Sequence, residues 1–396
     1  MGLFKQKLTG LSPLIVLIVI VIFSLTIVPS ISPVPKNLPI AIVNEDSGVV
    51  LPNGTNLNVG DIAVENILQA SAESAEDSAV KWIKAADLKE VNKGMGKKEY
   101  YAALVIPENF SQKQATLQTG APESATVDIL INQGMNTPAA NLASQILNSI
   151  VDNLNMKVRQ DTFNGLEQAK ASLTPKQAEV LASPIIKKIT NVNEIGDHSA
   201  NGNVPVSLFQ PIWMASLIGA ILLFVSNKNM TFHSRKDKFS SKIAQLCAGI
   251  ILSLTAGFGL TLFADGALGL EVPKIIDTSL FVAVSYLAFF LMISAVLAWV
   301  GLAGVPIFAL ILFFGAPLLA MAPELMPTFY QDWIYPWLPM RFMTDGLREL
   351  FFFEKGFSWS HSVSTLVWIG ACSLLIMFLS IFKPERNTAV QQNIRS

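Results

Sequence analysis

Charge is scarce in this chain, and it is missing from particular places. Only 14% of the 396 residues are Asp, Glu, Lys or Arg. Soluble domains carry about 25% charged residues, so the composition excludes an ordinary water-soluble protein and points to the membrane. The formal net charge of −1 supplies no basic surface for nucleic acid, and none is expected as a partner. The two cysteines, Cys247 and Cys372, lie inside apolar runs, so no disulfide framework is expected. The three histidines, His198, His233 and His361, are scattered without ligand spacing, so no metal site is expected. No Ser/His/Asp or Cys/His set stands at motif spacing. Lys93-Gly94-Met95-Gly96-Lys97-Lys98 lacks the first glycine and the Ser/Thr of a phosphate loop. The chain is therefore read as having no catalytic residue, no cofactor and no nucleotide site of its own. Glu45-Asp46-Ser47 reads as a turn after a strand rather than a cation site.

What is present is a set of long uncharged apolar runs. About 20 apolar residues of helix cross a bilayer core of about 30 Å. Six candidate spans follow: residues 11–31, 209–225, 243–263, 279–300, 305–322 and 364–382. The fourth and fifth are separated only by Gly301-Leu302-Ala303-Gly304, read as a tight hairpin because the combined run is too long for one crossing. Residues 11–31 end in a poor small-residue cleavage site, so they read as an uncleaved anchor. Cytoplasmic loops are enriched in Lys and Arg. Lys5 and Lys7, the run Lys228, Arg235, Lys236, Lys238 and Lys242, and the tail residues Lys383, Arg386 and Arg395 all fall on one side if both termini are inside. Residues 1–10 and 383–396 are then cytoplasmic, and residues 32–207 form an extracellular domain.

That domain alternates strand and helix patterns. Strands are expected at residues 38–44, 80–84, 100–106 and 125–132, and helices at 59–70, 87–97 (broken by Gly94 and Gly96) and 109–117. This suggests a small α/β layer. From residue 137 to about 160, Leu142, Ile146, Ile150, Leu154 and Val158 recur every four residues and mark one face of a long helix. The stripe either packs on the α/β layer or serves a partner. Residues 183–203 read as a polar loop back to the membrane. The expected fold class is thus an α-helical polytopic membrane protein of six transmembrane helices, with an extracellular α/β domain between helices 1 and 2.

The spans offer only neutral polar residues, among them Gln210, Gln245, Ser253, Thr255, Ser285 and Ser294. Ion-coupled transporters keep ionisable groups within their spans, so neutral residues fit hydrogen bonds between helices better than a proton relay. Two stretches read as functional. The basic loop, residues 226–242, is either plain positive-inside topology with anionic lipid contact or a short helix for a cytoplasmic partner. The outer segment, residues 323–360, carries interfacial Trp333, Tyr335 and Trp337. Its stretch 340–353 has helical alternation and reads as a re-entrant helix in the outer leaflet.

With these residues in view, the chain resembles the type 2 ATP-binding-cassette (ABC-2) exporter permeases. The run Pro339-Met340-Arg341-Phe342…Asp345-Gly346-Leu347-Arg348 resembles the proline-led stretch before the last span in that superfamily. Residues 40–48 (Ile-Ala-Ile-Val-Asn-Glu-Asp-Ser-Gly) and 101–111 (Tyr-Ala-Ala-Leu-Val-Ile-Pro-Glu-Asn-Phe-Ser) are similar to the phage infection protein (YhgE/Pip) group. The resemblance implies a bacterial plasma-membrane permease that dimerises or pairs with a like half. It would export a hydrophobic or amphipathic substrate, driven by a separate cytoplasmic ABC ATPase. It places ATPase coupling on Arg235, Lys236, Lys238 and Phe239, and an outer gate on Pro339, Arg341, Asp345 and Arg348. The ten residues before span one are too few for the amphipathic connecting helix common in the superfamily. The alternative carried by the phage infection group is a phage receptor or secretion-apparatus scaffold working through the extracellular domain.

Overall fold

The computed structural model describes residues 34–50, 54–72, 78–228 and 230–383, together with residues 14, 17, 18, 21, 25 and 28–31 of the N-terminal stretch. Most of the expected first span, and the tail from residue 384, lie outside the described residues. The chain divides into two compact units. One comprises Ile27–Gly202 and Ala320–Trp333; the other includes Asn203–Leu319 and the chain from Ile334 onward.

The first unit is an α/β domain. Strands β1 (Leu38–Asn44), β4 (Val80–Lys84), β5 (Ala102–Ile106), β6 (Ala125–Asn132) and β7 (Ile185–Val192) form one sheet in the order β4-β1-β5-β6-β7, and β2 (Val49–Val50) and β3 (Asn56–Leu57) form a small hairpin. β1 runs parallel to β4 and β5, β6 runs antiparallel to β5, and β7 runs parallel to β6. Side chains alternate across a strand, and two cores result. Leu38, Ile40, Ile42, Leu104, Ile106, Val127 and Ile129 point to one face. Ala41, Val43, Ala103, Val105 and Leu130 point to the other. The first face is covered by helices α1 (Val59–Ala72), α3 (Phe110–Thr116) and α4 (Thr137–Gln168), the second by α2 (Leu88–Gly96) through Val91 and Met95. Every residue of β5 is buried, as expected for a central strand covered on both faces. α2 runs unbroken through Gly94, with Asp87 capping the Glu90 N–H.

Three features depart from the sequence expectation. Residues 185–192 are strand β7, not loop. It is an edge strand whose exposed Lys188 lies 3.4 Å from Asp128, while Lys187 reaches Asp152 at 2.8 Å. Lysines on an edge discourage further strand pairing, and they also break the alternation that would have revealed the strand. A capped helix, α5 (Pro175–Ala182), precedes it. On α4 the fully buried residues are Ala139, Ala140, Ala143, Leu147 and Val151; the Leu142–Ile146–Ile150–Leu154–Val158 stripe is only partly buried at the margin of the same core.

The segment Ala320–Trp333 belongs to this domain by packing as well as by partition. Ala322 and Leu325 are buried in the same core as the sheet. The Tyr101 hydroxyl donates to the Glu324 carboxylate (2.8 Å), the Lys36 N–H to the Glu324 carbonyl (2.8 Å), and the Asn136 side-chain amide to the Ala320 carbonyl (3.2 Å).

The second unit is a helix bundle: α6 (Val204–Lys228), α7 (Arg235–Gly266), α8 (Ile275–Val300), α9 (Val305–Ala320), α10 (Pro339–Phe352) and α11 (His361–Leu379). Four stretches among the described residues are long and apolar enough to cross a membrane: Val204–Lys228, Arg235–Gly266, Ile275–Ala320 and His361–Phe382. α8 is apolar around its circumference and takes the centre, packing on α6, α7, α10 and α11. Ile275–Ala320 folds back at the 3-10 turn Gly301–Gly304. Trp213 of α6 lies 5.1 Å from the Phe289 ring and 6.3 Å from the Phe308 ring. In one straight helix those two phenylalanines would stand about 28 Å apart at 1.5 Å per residue. α7 meets α8 at Gly257, where a Cβ would lie 2.4 Å from the Ser279 carbonyl oxygen. Such small-residue contacts let helix backbones approach where no hydrophobic driving force separates lipid from protein. The Thr261 and Ser279 hydroxyls pair beside it. Outward-facing Leu222, Ile251, Leu254, Leu262, Phe263 and Leu375 are exposed, an apolar surface suited to lipid rather than water.

Candidate functional site

Two places in the bundle carry the residues expected to act. The first is α10 and its approach. A π turn, Tyr330–Ile334, and a 3-10 turn, Tyr335–Trp337, lead into α10, with Pro339 in its first turn, where a missing N–H costs nothing. α10 does not lie on a surface. Met340, Phe342, Met343, Thr344, Gly346, Leu347, Arg348, Leu350 and Phe352 are all buried, and Arg341, Asp345 and Glu349 form a half-buried stripe one helical turn apart. Arg348 is turned inward, only 6% exposed. It bonds the Leu319 carbonyl at 2.9 Å and lies 3.3 Å from the Asp345 carboxylate. A cation there stabilises the negative end of α9, whose last carbonyls have no helical partner. The Arg341 guanidinium stacks over Tyr335 (5.1 Å) and Phe342 (4.8 Å), and its Nε is buried without a hydrogen-bond partner among the described residues. The structure thus gathers Pro339, Arg341, Asp345 and Arg348 on one helix but uses the charges for packing inside the bundle. The helix expected over residues 340–353 is present as Pro339–Phe352.

The second place is the basic end. The expected loop of residues 226–242 is mostly helical. α6 continues to Lys228, and α7 starts at Arg235 behind a reciprocal cap in which Ser234 and Asp237 each bond the other's N–H. Arg235 lies over the Phe382 ring at 5.5 Å, and Phe239 packs on Phe378 at 5.4 Å. Two of the four coupling candidates therefore bind α7 to the end of α11. Lys236 is exposed, and Lys238 lines a cavity of about 870 Å³. That cavity lies among the ends of α6, α7, α8 and α11 and was not foreseen, because its residues come from three stretches, 224–245, 294–300 and 380–383, that meet only in the fold.

The neutral polar residues of the spans divide by role. Ser253, Thr255 and Ser285 bond carbonyls of their own helices. Gln245 accepts from Asn227 of α6 at 3.4 Å, and Asn227 accepts from Ser241 at 2.8 Å. Ser294 is 1% exposed, and its hydroxyl has no partner among the described residues.

In the α/β domain, Asp46 is a structural knot. Its buried carboxylate accepts from the N–H groups of Gly48 (3.3 Å), Gly60 (3.1 Å) and Ser111 (2.9 Å), and from the Ser111 hydroxyl. It joins the end of β1 to the starts of α1 and α3. The Asn44…Gly48 and Asn109…Ser111 stretches, distant in sequence, meet here.

A bundle of long apolar helices and an α/β domain built from two separate chain segments define the class as a polytopic membrane protein with an inserted α/β domain. The sequence profile described as ABC-2 family transporter protein matches residues 10–382, and the chain belongs to that family. It is similar to the uncharacterized protein YhgE of Bacillus subtilis (strain 168), with 24% identity over 123 residues, 31% of this chain and 15% of that protein's length. It is also similar to the crystal structure of a domain of a putative ABC type-2 transporter from Thermotoga maritima MSB8, at 22% identity and a TM-score of 0.26, covering 39% of this chain and 86% of that one.

Proposed function

We propose that the chain is the membrane permease of an exporter in a bacterial plasma membrane, moving a hydrophobic or amphipathic substrate outward. It works as a homodimer or paired half, with both termini cytoplasmic and the α/β domain outside. The energy comes from a separate cytoplasmic ATPase, the typical companion of permeases of this family. The observation that carries this reading is that residues 204–227, 243–263, 278–300, 305–320 and 362–379 contain no Asp, Glu, Lys, Arg or His. A proton or sodium pump keeps such groups at membrane depth, so work must be supplied from outside the bundle. The ATPase docks on the α6–α7 turn, with Lys236 its most accessible contact, and α10 with Arg341, Asp345 and Arg348 gates the exit. Affinity capture of the full chain from its native membrane is the test. A cassette ATPase is expected to co-purify and to be lost on reversing Arg235, Lys236 and Lys238 to Glu, with membrane insertion unchanged. Retention of the ATPase by that variant removes the turn as the coupling site.

A second reading, a phage receptor or secretion-apparatus scaffold, draws on one observation in the α/β domain. The half-buried side of α4 and the neighbouring α1 border a groove of about 420 Å³ lined by Ile67, Trp82, Ile146, Ile150 and Leu154. Substituting Ile146 and Ile150 by Asp should abolish partner or phage binding and spare export on this reading. On the exporter reading, export is the activity to follow.

A further inference from the structure

We propose that the cavity at the basic end of the bundle is a binding site for a phosphate-bearing anion, the headgroup of an acidic phospholipid being the source its setting favours. The inference does not depend on an ATPase.

Two observations converge, a lining of cations and an apolar wall beside them. Lys228, Lys238, Lys242 and Lys383 all line the cavity, with no Asp or Glu among the lining residues. The nearby Asp237 carboxylate accepts from the Ser234 and His233 N–H groups and is not among the lining residues. Ser294, on the central helix, also lines the cavity, and its buried hydroxyl has no partner among the described residues. The Ser294 hydroxyl itself is closed off from the cavity's open space, so the cations and the apolar wall carry the proposal.

A simpler account gives the lysines to topology and to the helix ends. It suffices for Lys383, whose ammonium bonds the Trp299 carbonyl at 2.5 Å and so caps α8. It does not explain why a cavity of about 870 Å³ opens between the cations. Lys242 bonds a neutral group there, Gln245 Oε1 at 3.4 Å. The remaining walls are apolar, among them Phe224, Val300 and Ile381. Trp299, 43% exposed, anchors its indole N–H on the Ile376 carbonyl at 3.0 Å. Cations beside an apolar wall and an interfacial tryptophan suit a group that is charged at one end and greasy at the other.

The test uses the full chain purified in neutral detergent and native mass spectrometry, with phosphatidylglycerol, phosphatidylcholine and inorganic phosphate as separate probes. Wild type should retain one phosphatidylglycerol at least about tenfold more firmly than phosphatidylcholine, since charge-assisted hydrogen bonds discriminate on that scale. Lys228→Gln with Lys242→Gln should lose that preference. Lys236→Gln, a charge loss outside the lining, should leave it unaltered. Displacement of the lipid by inorganic phosphate would support the anion site with a soluble phosphate as its source; resistance to displacement would support the lipid. Equal retention of both lipids, or wild-type retention by a monodisperse Lys228→Gln/Lys242→Gln protein, would overturn the proposal.

Discussion

The hydrogen bond from Tyr101 to Glu324 fastens the Ala320–Trp333 segment to the α/β domain, and its strength can be measured. The donor is a phenol buried to 2% exposure, and the acceptor is a carboxylate 2.8 Å away. A hydrogen bond to a charged group contributes about 1.5–3 kcal/mol. Glu324 is half-buried, so water partly replaces a lost donor and the lower figure applies. Tyr101→Phe should therefore favour release of the segment by about 1.5 kcal/mol, roughly tenfold in the opening equilibrium. The reporter is built in. The Lys36 amide is bonded to the Glu324 carbonyl, so its hydrogen exchange follows release of the segment directly. In the full-length protein, exchange at Lys36 should accelerate about tenfold in Tyr101→Phe and comparably in Glu324→Ala, which removes the acceptor, while the β5 amides stay protected. The double variant should accelerate no more than the stronger single, because both remove one bond. Acceleration below twofold in Tyr101→Phe, fully additive effects, or equal loss of protection across β5 would refute the assignment of the fastening to this pair.

Three further outcomes follow from the packing. Gly257→Ala should lower the thermal stability of the detergent-solubilised protein, the cost of overpacking being about 1–3 kcal/mol. Gly259→Ala, where an added Cβ meets nothing within 4 Å, should be silent, and equal losses would refute the close α7–α8 contact. Asp46→Ala should destabilise the α/β domain by roughly 3–6 kcal/mol, because buried N–H groups of Gly60 and Ser111 lose their acceptor at about 1–3 kcal/mol each and the Ser111 hydroxyl is also stranded. Protease sensitivity of the domain in the full chain reads this out, and wild-type resistance would refute it. Arg348→Met should sharply reduce the yield of monodisperse protein, since the Leu319 carbonyl and Asp345 lose their partner. Size-exclusion profiles report it, and a normal profile would show that the α9 end needs no cation.

The strands with two-sided burial were legible in the sequence because burial on alternate faces leaves an apolar run: β1, β5 and β6 read almost to the residue. β7 was not, since only Ile185 is fully buried along it and its lysines face water and acid partners. The α4 pattern was read as a stripe of large residues, but the helix seats on alanines. Small side chains let it approach the sheet, and the larger ones fall to the flank. On α10, alternation of charge and apolarity is the pattern of a surface helix, yet Arg348 satisfies another helix's carbonyl from inside the bundle, a use invisible without the fold. The basic cluster was legible as a run of lysines near residue 235. Its arrangement about a cavity was not, because Ser294 and Lys383 join it only in three dimensions.

The shared core of Leu325, Ala322 and the sheet also constrains how often the polypeptide passes through the bilayer. On the proposed topology, with the α/β domain wholly outside, two stretches packed into one core lie on the same side, so the chain between Gly202 and Ala320 would make an even number of passes. α6, α7, α8 and α9 would supply four, whereas a single unbroken pass from Ile275 to Ala320 would leave three, an odd number. Parity therefore argues for the Gly301–Gly304 reversal independently of the aromatic contacts around Trp213. For protein engineering it means that the α/β domain is not a cassette to be cut out between two neighbouring residues. Excising residues 32–202 alone would leave Ala322 and Leu325 as an apolar stub, and a clean removal must shorten both stretches together.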